Sequence, residues 1–248
     1  MNNPVDRETG RALILAAGIA LAGFLAGNGL ARARSADRYV TVKGVAEREV
    51  KADLAIWPVN VVGADNQLSV AHSKLQTSVA SVREFLARHG IDTTQVALVG
   101  FAVSDALANQ YGPQQQPANR FVTRQTVMVR SRNPDLVLAA SQKIGELAAS
   151  GVVVSSGSEY GGPGGGPSFV FTALNRLKPQ MIADATARAR EAAQQFARDS
   201  ESELAGIRQA NQGIFEILPR DQAPGISGDS QINKTVRVVS TVEYFLRN

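Results

Sequence analysis

The sequence predicts an α+β fold: a mainly antiparallel sheet with helices packed on one face, preceded by an N-terminal transmembrane or signal-anchor helix. Three observations carry this reading. Strand-like runs come as hairpin-like pairs more often than as strand–helix–strand crossovers. Helical stretches with a single apolar stripe separate them. A run of 20 uncharged residues, Ala12 to Ala31, stands near the N-terminus. With 248 residues, 44% of them hydrophobic, the chain can bury a sizeable core. Two parts are expected: residues 1–38, an anchor with its basic flank, and residues 39–248, an α+β domain.

As a helix, the N-terminal run rises about 30 Å, the hydrocarbon thickness of a bilayer. Its apolar centre, Ala12 to Ala26, is shorter and has the character of a signal-peptide core. Ala31 and Ala33 are small enough for a cleavage site, but Arg32 and Arg34 crowd it. An uncleaved anchor is therefore the preferred reading, a cleaved secretory signal the alternative, and a buried soluble helix the last. Gly23 and Gly27 form a GxxxG spacing that lets two membrane helices approach closely, although composition alone accounts for it as well. Arg7 and Arg11 precede the run while Arg32, Arg34 and Arg38 follow it, so the basic bias taken alone opposes export of the body.

Residues 39–50 (YVTVKGVAEREV) and 54–62 (LAIWPVNVV) read as strands joined by Lys51-Ala52-Asp53 in a hairpin, with Pro58 at an edge or bulge because it has no N–H to donate. From Gln67 to His89, Leu68, Ala71, Leu75, Val79, Val82 and Leu86 recur at helical spacing, with Asp65 or Asn66 as the start and Gly90 as the stop. Two strands follow, 94–104 and 119–132, around the polar tip YGPQQQPAN. Asn133 and Pro134 then open a helix running to Ala149, with Asn as cap and Pro at the first position. Val152 begins a strand, GGPGGGP (161–167) is a loop, and residues 168–173 form a short strand. Leu174 to Leu204 is a long alanine-rich helix broken or started near Pro179. Strands 207–218 and 232–246 close the chain around a loop from Pro219 to Ser230.

The net charge of +4 suggests an anionic partner until it is divided by position. Residues 1–38 hold five basic and three acidic side chains, which leaves the body 21 against 19, a balance of only +2. Nucleic acid is not expected as a partner, since the body is nearly neutral and its arginines are not interleaved with aromatics.

Chemistry-bearing patterns are sparse. The absence of cysteine removes thiolate nucleophiles, zinc–thiolate sites and iron–sulfur clusters. His72 and His89 stand 17 residues apart on one helix, too far to share an ion within a monomer, and structural roles are expected for both. The glycine run lacks the Lys-Ser/Thr and following helix of a phosphate cradle. Ser155, Ser156 and Ser158 have no nucleophile-elbow context, and Glu47, Glu49 and Asp53 read as a charge-balanced surface beside Arg48 and Lys51. The most unusual constellation is Arg120, Arg124, Arg130 and Arg132, which share one parity of a strand and so one face over about 40 Å. Anionic lipid, glycan or an acidic partner suits that face; a solvated surface is the plain alternative.

The run VTVKGVAEREVKADLAIW, then a helix, a strand and a long A-x-x-x-A-type helix ending in LAGI, resembles the SIMPL-domain family over residues 39–246. Gly44, Asp53, Ala55 and the helix bearing Ala183, Asp184, Ala185, Ala189, Ala192, Ala193 and Ala197 carry the resemblance, with Leu204, Gly206 and Ile207 at its exit. The anchor-like N-terminus and the Trp57-Pro58 pair depart from many members. The resemblance implies an envelope protein with its body in the periplasm, a link to envelope or oxidative stress, and self-association into homo-oligomers; the N-terminal run adds the expectation of an inner-membrane anchor. It supplies no catalytic residue. No cofactor or metal is expected, the small-molecule ligand is unidentified, and a non-catalytic structural or interaction role is the expectation. The alternative is a ligand-binding module using the arginine-bearing strand.

Overall fold

The computed structural model describes residues 13, 15–27, 38–108, 118–155, 166–221 and 227–247. Residues 15–27 form helix α1, whose apolar side chains Leu15, Ile19, Leu21, Phe24 and Leu25 are all exposed. These thirteen residues rise about 20 Å, short of a bilayer's hydrocarbon core. Among the described residues no helix is long and apolar enough to cross a membrane. The expected span over 12–31 thus lacks structural support, and its residues 12, 14 and 28–31 lie outside the described ones. Gly23 and Gly27 both fall in α1 and face open space.

The body is α+β, as expected, but it holds two sheets rather than one. The first contains β1 (Tyr39–Lys51), β9 (Asn233–Arg247) and β7 (Glu203–Gln212) in that order, with β8 (Glu216–Pro219) also on β9. The second runs β3 (Val96–Asp105), β4 (Phe121–Ser131), β2 (Leu54–Asp65), β5 (Val154–Ser155), with β6 (Ser168–Val170) also on β2. The helices are α2 (Leu68–Arg88), α3 (Pro134–Gln142), α4 (Gly145–Ala149) and α5 (Leu174–Asp199). Residues 39–248, expected as one domain, divide into two compact units. One comprises the described residues through Ala46, with Pro179–Phe215 and those from Val238; the other comprises Glu47–Lys178 and Glu216–Arg237.

The predicted β1–β2 hairpin is corrected: the two strands belong to different sheets. Lys51-Ala52-Asp53 offers no glycine or asparagine for the positive φ of a tight turn. Its backbone is claimed elsewhere instead, Ala52 N donating to Ile232 O and Asp53 N to Val170 O.

In the larger unit, odd-numbered β2 residues face the helices. Ala55, Trp57, Val59 and Val61 are buried with Leu75, Val82, Phe85 and Leu86 of α2, Val127 and Val129 of β4, and Phe169 of β6. Gly63 lies under α2, where a Cβ would overlap the Ala71 carbonyl oxygen. Thr123, fully buried, stitches this crossing by donating to the oxygens of both Gly63 (3.0 Å) and Ala71 (3.2 Å). The even-numbered residues line the other face of the sheet. Opposite β4, β2 pairs with β6 at residues 54–56 and with β5 at 60–61, and Pro58 sits in the interval between them, the local edge its missing N–H requires. The chain between β5 and β6 contains the glycine run; of it, only Gly166 and Pro167 are described.

The start of α2 is set differently from expectation. Its N-cap is Gln67, without a side-chain cap bond. Asp65 instead accepts from Gln67 N (3.0 Å), and Asn66 accepts from Arg120 N (3.0 Å). Gly90 stops the helix with φ +75°. The predicted 134–149 helix breaks at Lys143-Ile144 into α3 and α4, because Lys143 N and Ile144 N bond three residues back rather than four.

In the smaller unit, Met181, Ala185, Ala189, Ala193 and Ala197 of α5 are buried at intervals of four, Ala189 and Ala193 against Val42 of β1 and Val242 and Tyr244 of β9. Small side chains bring the helix backbone close enough that a Cβ on Gly44 would overlap the Ala185 carbonyl oxygen. The helix ends at Asp199, earlier than predicted; Glu201 (φ 52°) turns the chain, so Leu204 and Gly206 belong to β7. The predicted 207–218 strand breaks between β7 and β8, where Gly213 N bonds Val239 O.

Candidate functional site

The strand pairings decide what the four singled-out arginines can do. Arg124 and Arg130 lie on β4, exposed on the face opposite the core, while Arg120 just precedes the strand and Arg132 just follows it, and the four separate into two groups. Arg124 and Arg130 stand six residues apart, about 20 Å along a strand.

At the β3–β4 turn end, Arg120 grips Asp105: Nε lies 3.2 Å from Oδ1 and Nη2 lies 3.0 Å from Oδ2. The Arg120 guanidinium also covers the Phe121 ring at 4.7 Å. That hydrogen bonding, helped by a bond from Leu107 N, holds the Asp105 carboxyl below its ordinary pKa and raises the already high Arg120. Arg124 donates to Ser104 Oγ at 3.3 Å. This end is therefore internally satisfied.

The opposite end is different. Arg130 and Arg132 open into a cleft of about 640 Å³ lined also by Asp53, Leu54, Gln95, Thr172 and Arg176. Each wall has a clear origin. Ile56 pairs opposite Arg130 on one side, and on the other Val96 pairs with Val129, so Gln95 falls beside Arg130. Gln95 is held there by a 3₁₀ turn, Thr93–Gln95, that Asp92 caps by accepting from Thr94 N (2.9 Å) and Oγ1 (2.7 Å). Those same bonds hold the Asp92 carboxyl below its ordinary value. Asp53 accepts from Thr172 N (2.7 Å) and Thr172 Oγ1 (3.1 Å), fixing the segment that leads into α5 and its Arg176.

Among the described residues, the guanidiniums of Arg130, Arg132 and Arg176 have neither an ion pair nor a hydrogen-bond acceptor. Three guanidiniums thus share one concavity with a single carboxylate, itself engaged by Thr172. A concavity so lined attracts anions and orients them, because guanidinium presents a planar fork of donors. Arg176 was missed in the sequence: it lies 44 positions beyond Arg132, and long-range links, the β6–β2 pairing and the Asp53–Thr172 bonds, hold the segment that leads into its helix. Asp53, read there as a charge-balanced surface group, is a wall of the cleft.

A second groove, lined by Val62, Val70, Lys74, Thr77, Gly151 and Val153 among others, is less charged. Its lysine is engaged, Lys74 Nζ standing 2.7 Å from Asp65 Oδ2, which lowers the Asp65 pKa. The histidines sit in packing roles: His72 edge-on to Phe101 at 5.8 Å, and His89 against Phe85 at 4.5 Å with Nε2 3.3 Å from Glu146. Among the described residues no three His, Asp or Glu side chains gather as metal ligands would. The serines at 156 and 158 and the loop 161–165 lie outside the described residues.

No curated protein matches the chain. The family whose sequence pattern matches is described as "SIMPL: Protein of unknown function (DUF541)", over residues 40–243. That match takes in the strand with Gly44, the corner at Asp53, the arginine cleft and the alanine-striped α5, and the chain belongs to the SIMPL family.

Proposed function

We propose that this protein is a non-catalytic binding module that captures an anionic group in the cleft of Arg130, Arg132 and Arg176. The supporting observation is the set of three guanidiniums without acceptors among the described residues, beside Gln95 and Thr172 in one concavity. Arginine is only weakly hydrated and forks onto carboxylate or phosphate oxygens, so an anion of matching size gains charge-assisted bonds there. The module sits in the cell envelope, tethered to the inner membrane through residues 12–31, with its body in the periplasm. The 20-residue uncharged run and the exposed apolar side chains of α1 support the tether.

Titration calorimetry of the full chain with inorganic phosphate and with sulfate, at low salt, tests the binding. Arg130→Ala combined with Arg176→Ala is expected to weaken it roughly tenfold or more, the worth of one to two charge-assisted bonds. Equal affinity in the variant would remove the reading. The tether predicts that the full chain stays with membranes through an alkaline carbonate wash and that Leu21→Arg releases it. A charge at the centre of a spanning helix costs about 2.5–3.5 kcal/mol on insertion scales. Release of the unaltered chain by the wash would reject the tether.

A further inference from the structure

The charges and unused acceptors of the cleft narrow its ligand. Three guanidiniums and one carboxylate leave it a formal +2. A phosphate monoester carries about −1.5 to −2 at pH 7, which matches; a carboxylate or a phosphodiester carries half as much. Arg130 stands on β4 and Arg132 just past its end, and both line the cleft with Arg176 of α5, so three guanidinium forks converge on one concavity where a phosphate presents several oxygens.

Asp53 sets a further condition. Each of its carboxylate oxygens accepts one bond from Thr172, at 2.7 and 3.1 Å, and each retains a lone pair. An anion that carries no proton, such as sulfate, gains nothing from a carboxylate wall and is repelled by it. A ligand with hydroxyl groups beside its phosphate donates to that wall and to the carbonyl end of Gln95. Among the described residues the lining also includes a single aliphatic side chain, Leu54, and no aromatic ring on which a nucleobase would stack. Resting on the anion-binding reading above, we infer that the cleft takes a phosphate monoester borne on a hydroxyl-rich carrier, as in a sugar phosphate, with the arginines on the phosphate and Asp53 and Gln95 on the hydroxyls.

The test is calorimetry of the full chain in nonionic detergent against glucose 6-phosphate, glucose 1-phosphate, glycerol 1-phosphate, glucuronate, glucose, inorganic phosphate and sulfate. Vesicles of phosphatidylcholine with phosphatidic acid form a separate arm, distinguishing a lipid headgroup from a soluble ester. At least one of the three soluble esters is expected to bind roughly tenfold tighter than inorganic phosphate, with glucuronate and glucose weaker than either. Asp53→Asn then divides the two ligand types. Removing a negative charge tightens sulfate, whereas loss of the charged hydroxyl acceptor weakens the ester several-fold. If Asp53→Asn fails the fold check by Trp57 fluorescence, Gln95→Ala replaces it and is expected to weaken the ester several-fold more than it weakens sulfate; equal weakening of the two overturns the inference. No preference of any soluble ester over inorganic phosphate overturns this inference while the anion-binding reading stands. Binding to the phosphatidic acid vesicles without binding to any soluble ester does the same. Absence of all anion binding removes both.

Discussion

Arg120 and Arg130 occupy the same parity around one strand, and a single carboxylate separates their roles. Asp105 stands opposite Phe121 in the β3–β4 register and turns back onto Arg120, whereas Arg130 has Gln95 and Ile56 as neighbours and no acceptor among the described residues. Parity in the sequence grouped the two, although Arg120 falls just before the strand. It could not show Asp105, which the β3–β4 pairing sets opposite Phe121. The pairing makes a prediction for acid titration. The Arg120 bonds hold Asp105 below the ordinary carboxylate value of about 3.9. Because the folded value is the depressed one, its stabilisation is present above the ordinary carboxylate range and is lost as pH falls through the folded value. Carboxyl-carbon NMR of the folded protein is expected to show Asp105 titrating below the ordinary carboxylate value, and Arg120→Ala to move it upward. An unmoved Asp105 would mean that the bidentate contact does not persist in solution.

At the scale of elements, both units use the same device: a strand glycine beneath a helix at an alanine. Gly44 lies under Ala185 of α5, and Gly63 under Ala71 of α2. In each case an added Cβ meets backbone rather than a movable side chain, so the helix must lift from the sheet. Gly44→Ala and Gly63→Ala are each expected to cost about 1–3 kcal/mol or more by overpacking, measured by urea unfolding. Ala189→Leu on the buried stripe is expected to cost a similar amount, while Arg190→Ala, one position on and exposed, should stay within about 0.5 kcal/mol. Equal effects of the last two would refute the assigned helix face. Elements whose apolar periodicity is strong were legible in sequence: α2 buries Ala71, Leu75, Val79, Val82 and Leu86 as its spacing implies. The connections were not. Lys51-Ala52-Asp53 looks like a hairpin turn because two strands flank it, but strand partners are chosen by long-range pairing, and β9 lies almost 200 residues away. The helix break at Lys143-Ile144 was likewise illegible, since no proline or glycine precedes it within the turn.

At the scale of the whole molecule, charge is placed rather than accumulated. Half of the +4 lies in residues 1–38, and within the body many formal charges cancel in contacts such as Lys51 with Asp135 (2.6 Å) and Arg208 with Glu243 (3.0 Å). A nearly neutral body can therefore still present a concentrated positive site, because the guanidiniums of Arg130, Arg132 and Arg176 are left out of that cancellation among the described residues. Total charge could not reveal this, nor could the strand alone, since half of the sequence-level arginine set is spent on Asp105 and Ser104. The consequence is a separation of function from stability. Arg176→Glu takes the cleft from a formal +2 to neutral while breaking no ion pair among the described residues. Anion binding is expected to fall at least roughly tenfold in calorimetry, with the urea midpoint of Trp57 fluorescence shifted by no more than about 0.5 kcal/mol equivalent. Arg120→Glu reverses the pattern: it sets two carboxylates against each other at Asp105 and lowers stability, yet leaves the distant cleft and its anion affinity unchanged. Raising ionic strength should weaken anion binding in the unaltered protein and in Arg120→Glu alike, because both retain the same open, screenable site. Loss of affinity in Arg120→Glu equal to that in Arg176→Glu would show that the arginine strand acts as one diffuse surface, and the localised cleft would have to be abandoned.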